Sequence, residues 1–122
     1  MSIQDQLHYL FREYILHIYR NPDMFYFGNQ SFHLPIEFHK KIRSDYLMRE
    51  NKFVQKLEDL FKEGMQQGII RNGDPSKKAW SFKAKRDGVI GWMYASPDLN
   101  ETSVEEFWND YWFGIQEKKE NK

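Results

Sequence analysis

At 122 residues and 14.9 kDa, with 18 Lys plus Arg against 18 Asp plus Glu, the chain is of single-domain size and lacks the basic excess that phosphate-backbone binding needs. Leu, Ile, Val and Phe supply about a quarter of it, above the roughly 20% floor for disorder, and 4 Trp, 7 Tyr and 10 Phe offset a mean hydropathy of -0.82 by promising an aromatic core. No cysteine excludes disulfides, thiolate nucleophiles and Cys-based zinc sites and fits a cytoplasmic protein, while Asp5, Arg12 and Glu13 and the lack of a long apolar run exclude a signal peptide and a membrane span.

Ile3, Leu7, Leu10, Phe11, Tyr14, Ile15 and Ile18 form one helical stripe. Ser2 and Asp5 approximate a capping box at its start, and Asn21-Pro22 ends it. Asn21 can cap a short aromatic helix from Pro22 to about Ser31, with Pro22 at its first position. From Ile36 to Gln67 the composition stays helical, but the apolar stripe changes phase near Arg49-Glu50-Asn51, which predicts two helices or one kinked helix. Gly68 is placed for the left-handed residue that closes a helix.

Gly73, Asp74 and Pro75 then read as turn, N-cap and first helical residue of a helix reaching about Ala95. A loop around Ser96-Pro97 leads to a capping box, Ser103 with Glu106, ahead of an amphipathic last helix carrying Val104, Phe107, Trp108, Tyr111, Trp112 and Ile115. Residues after Gln116 form a charged tail. With no strand signal and no internal repeat, the chain reads as an all-α bundle of five or six helices, a single domain over 1–122.

The order of three features is telling. Tyr19-Arg20-Asn21-Pro22 breaks the first helix; Leu57, Leu60, Gly64, Gly68, Ile69 and Ile70 close the third element; Asp74, Pro75, Ala79, Asp87 and Gly88 mark the next helix. In this order and spacing the chain resembles the C-terminal, effector-binding domain of the tetracycline-repressor (TetR) family of transcriptional regulators. The family's N-terminal helix-turn-helix pattern is not found before Ile3, so the likeness covers the regulatory half alone. It implies a homodimer that binds a small, largely apolar effector, with no cofactor, no membrane contact and no DNA reading by this segment itself.

Ala84, Gly88, Gly91 and Ala95 recur at spacings of 4, 3 and 4, a strip of small residues on one helical face. Interior glycines each cost a helix about 1 kcal/mol relative to alanine, so a packing gain should offset them. Close packing inside one subunit would supply it. The resemblance implies instead a dimer interface of Ala84, Gly88, Gly91, Trp92 and Ala95 with Phe107, Trp108, Tyr111 and Trp112 of the last helix. Residues 72–95 carry five bases against two acids and residues from Ser96 onward three lysines against seven acids, so the two helices could pair electrostatically or simply present solvated faces.

Aromatic density admits a ligand chamber. The resemblance places Tyr14, Phe25, Phe32, Phe53, Leu57, Phe61 and Trp80 around it, and Tyr26 and His33 could supply hydrogen bonds; taken singly, each aromatic reads first as plain core. No hydrolase, nucleotide-binding or metalloprotease motif occurs, so an enzyme is not expected. Glu13 with His17 and His33 with Glu37 are half a metal site at most, and no metal is expected. The competing expectation is a helical adaptor that holds a partner protein on Phe107, Trp108, Tyr111 and Trp112.

Overall fold

The computed structural model describes residues 1–24 and 36–118; within the second stretch the side chains of 36–47 and of Glu50 are outside the description. Four helices are seen in full: α1 (Ile3–Tyr19), α2 (Ile36–Gln66), α3 (Pro75–Ala95) and α4 (Ser103–Ile115). The fold is all-α: among the described residues the one sheet-like pairing is an isolated antiparallel bridge between Ile70 and Gln116. No helix among them is long and apolar enough to cross a membrane.

Local chemistry sets most helix ends. The Ser2 hydroxyl accepts from the Asp5 amide at 3.0 Å, and the Asp74 carboxylate accepts from Ser76 and Lys77 at the start of α3, each satisfying donors the first turn leaves unpaired. Gly68 takes φ +72°. Around it Ile69 donates to the Gly64 carbonyl at 2.9 Å and Gly68 to that of Met65 at 3.1 Å, the paired closure of a Schellman motif. The chain can then fold back so tightly that Ile70 rests on Gly64, where a Cβ would lie 2.5 Å from the Ile70 Cδ1.

One open expectation is decided, a second is corrected and a third is described in part. Residues 36–66 form one helix, because no Gly or Pro between 36 and 63 interrupts the hydrogen-bond ladder and a phase change in the apolar stripe does not by itself end it. The Ser103–Glu106 capping box does not form: the Ser103 hydroxyl accepts from the Asn100 amide, and Thr102 stands at the cap with its hydroxyl donating back to the Asn100 side chain rather than capping the first turn. Pro22 to Met24 are helical directly after Asn21, as expected, with the Asn21 side-chain amide donating back to the His17 carbonyl of α1 at 2.7 Å; the rest of the helix expected to about Ser31 lies outside the described residues.

The core lies where α1 and α3 meet α2 and α4; α1 and α3 each touch all the other described helices. Phe11 is its hub, with its ring 5.5 Å from Trp108, 6.0 Å from Phe82 and 6.2 Å from Tyr111, separations at which aromatic pairs attract beyond simple burial. Phe61 joins through Phe82, and Leu7, Ile15, Leu57 and Val104 fill the spaces between. Tyr94 fastens the far end: its hydroxyl lies 2.8 Å from the carbonyls of Ile18 and Tyr19, at the C-terminus of α1 where carbonyls lack helical partners.

Candidate functional site

The apolar stripe of α3 carries two cations. Ala79, Phe82, Val89, Ile90 and Met93 are buried with Lys83 and Arg86, and Arg86 is only 3% exposed. A buried charge needs a partner. Here the Lys83 ammonium lies 2.9 Å from one oxygen of Asp87, and the Arg86 Nε donates to the other at 3.1 Å, so two cations share one partly exposed carboxylate. The Arg86 guanidinium lies 3.6 Å from the centre of the Tyr14 ring on α1 and 4.7 Å from that of Phe53 on α2. Three helices therefore converge on a single planar cation, caged by the negative faces of two rings.

This cage redistributes the residues expected to line a chamber. Tyr14 and Phe53 do come together, but around Arg86. Leu57 and Phe61 are fully buried in the core beneath α3. Trp80 is 44% exposed, apart from the buried stripe of α3. Phe25, Tyr26, Phe32 and His33 lie outside the described residues. Lys83, Arg86 and Asp87 were not singled out for a site by sequence, where they read as part of a basic solvated face; the signal that could have found them is that positions 79, 82, 83, 86, 89, 90 and 93 share one helical face.

The expected dimer residues divide in the same way. Trp80, Ala84, Gly88, Gly91, Trp92 and Ala95 follow one another along the face of α3 opposite its buried stripe. Trp92 is 67% exposed, and nothing lies within 4 Å of where a Cβ would stand on Gly88 or Gly91. Intrachain packing among the described residues therefore does not account for the small-residue strip. The aromatic face of α4 is otherwise engaged: Trp108 (2% exposed) and Trp112 are buried and stack at 5.8 Å, and Tyr111 packs on Phe11 and Phe82. Phe107 is half-buried with the Lys85 ammonium 5.3 Å from its ring centre. Their amphipathic spacing was right, but the surface it covers is the chain's own core.

Of the two alternatives for the charged helices, electrostatic pairing between them is not seen: among the described residues no ion pair joins basic α3 to acidic α4. Instead Glu105 reaches His8 of α1 at 2.9 Å, with the imidazole stacked on Trp108 at 5.0 Å, and Glu101 takes a two-pronged contact from Arg20 at 2.7 and 3.0 Å. Groups of three or more metal-ligating side chains are not found among the described residues.

A second feature lies where the turn after α2 crosses the starts of α3 and the end of α4. Arg71, Gly73, Asp74, Lys77, Lys78, Ser81, Tyr111 and Ile115 line a cleft of about 310 Å³. No sequence motif pointed to it, because its residues come from three separate segments. No protein-family model, curated protein or solved structure matches this chain.

Proposed function

We propose that this chain is the effector-sensing and dimerisation domain of a TetR-like transcriptional regulator. The reading rests on the two faces of α3. One face closes a polar cage between α1 and α2; the other presents an uncovered strip that is free of charge from Trp80 to Ala95 apart from its edges. Exposed apolar surface flanked by two tryptophans marks an interaction site. A second copy of the same helix suits it, since small residues allow two backbones to approach closely about a two-fold axis. The element order, the Asn21-Pro22 break and the glycine-closed α2 agree with the family resemblance.

The effector in this reading is a small, largely apolar molecule that contacts Tyr14 and Phe53, with Arg86 as the polar group that orients it. By exchanging contacts with the cage it would favour one arrangement of α1 against α3 over another, which is how a ligand biases a two-state switch. DNA contact belongs to a different domain. The adaptor alternative loses its surface, because Trp108 and Trp112 are buried. A thermal-shift screen of apolar compounds against the chain and its Arg86→Met variant tests the sensing half: hits on the parent that vanish in the variant support it, and no hit on either removes it.

A further inference from the structure

The cleft at the start of α3 is electrostatically incomplete. Three cations, Arg71, Lys77 and Lys78, border it, and none of them forms an ion pair among the described residues. The one carboxylate present, Asp74, already accepts the Ser76 and Lys77 amides as the helix cap. Arg71 is held in place by guanidinium donation to the Gly114 carbonyl and by a hydrogen bond from its backbone N–H to the Ile115 carbonyl, which leaves further guanidinium N–H groups to bind something else. The Tyr111 hydroxyl is buried and has no hydrogen-bond partner among the described residues, an arrangement that normally carries a penalty.

We infer that this cleft binds a small organic acid, its carboxylate between Arg71 and Lys78 and its apolar body on Tyr111 and Ile115. The volume, about 310 Å³, sits at the lower end of the roughly 300–1,000 Å³ typical of small-molecule pockets. A carboxylate matches the planar fork of an arginine. It would also offer the acceptor the Tyr111 hydroxyl lacks. Burial, followed by the neighbouring charge of Arg71, holds the Lys78 ammonium pKa below its ordinary value, and an anion set between the two cations relieves that repulsion. The helix end itself is not the attraction, since Asp74 occupies it. The site shares no residue with the Arg86 cage, so this inference and the effector reading fail separately.

The test is calorimetric titration of the whole chain with benzoate, with benzamide as the neutral isostere and with inorganic phosphate. Saturable benzoate binding is expected, with benzamide and phosphate each weaker by about tenfold or more, and a loss of about tenfold in Arg71→Gln and in Lys78→Met. Tyr111→Phe separates a binding role from a structural one: it should weaken benzoate several-fold while raising the melting temperature of the free chain. Benzamide binding as tightly as benzoate, phosphate matching it, or full benzoate affinity in both Arg71→Gln and Lys78→Met would overturn the assignment. So would failure of benzoate to bind the parent chain.

Discussion

The Arg86 guanidinium lies 3.6 Å from the centre of the Tyr14 ring, and its Nε is tied to Asp87 one residue further along α3. A cation this buried is tolerable only while both its ring faces and its carboxylate remain in place. Asp87→Asn removes the carboxylate and leaves Lys83 and Arg86 without their shared charge. Breaking a fully buried pair costs about 3–5 kcal/mol, and Asp87 is partly exposed, so a loss of about 2 kcal/mol is expected by urea unfolding. A change below about 0.5 kcal/mol would mean that solvent already screens the cluster.

Two glycines in helices should respond oppositely to alanine. At Gly64 a Cβ would meet Ile70 at 2.5 and 3.0 Å and Ile3 at 3.2 Å, so Gly64→Ala should destabilise by about 1–3 kcal/mol despite alanine's better helix propensity. Around Gly88 the space is open, and Gly88→Ala should instead stabilise the isolated chain by up to about 1 kcal/mol. Thermal melts of the two variants at low protein concentration make the comparison, and equal shifts of the same sign would contradict it.

Tyr111→Phe should raise stability. Its hydroxyl is buried with no partner among the described residues, and deleting an unsatisfied buried group removes a penalty of about 1–3 kcal/mol while the ring keeps its contacts with Phe11, Phe82 and Trp108. A fall in the melting temperature would show that the hydroxyl is satisfied.

Acid should weaken the link between the end of α1 and the start of α4. The hydrogen bond from Arg20, aided by its charge, holds the Glu101 carboxyl below its ordinary value of 4.5. A carboxylate with a depressed folded pKa contributes fully above its unfolded value and loses that contribution as the pH falls through the folded one. Glu101→Gln should therefore lower the melting temperature slightly at pH 6 and make no difference once the pH has fallen through the folded value. The gap at pH 6 should shrink in high salt, because the pair is exposed. A gap that persists unchanged at low pH would exclude the ion pair as its cause.

How far the sequence could be read follows from what each signal measures. Periodicity located α1 and α4 because each has an apolar stripe, and Asp74-Pro75 and Gly68 marked the start of α3 and the end of α2 because cap chemistry is local. Which neighbour a stripe faces is not local. Trp108 and Trp112 are spaced as an interface helix would space them, yet they are buried against α1. Arg86 and Lys83 carry charge, which in a sequence suggests solvent, and only the approach of Tyr14 and Phe53 from 72 and 33 positions away makes burial tolerable. The Arg71 cleft was invisible for the same reason.

The central claim is that the Trp80–Ala95 face of α3 joins two copies of the chain. Trp108→Glu is no test of it, because charging a buried core residue would unfold the monomer. Gly88→Leu is suitable, since no described residue of the same chain crowds Gly88. Native mass spectrometry, with light scattering and circular dichroism on the same samples, should find a dimer for the parent and a monomer of unchanged helicity for Gly88→Leu. A monomeric parent, or a dimer that survives Gly88→Leu, would contradict the account.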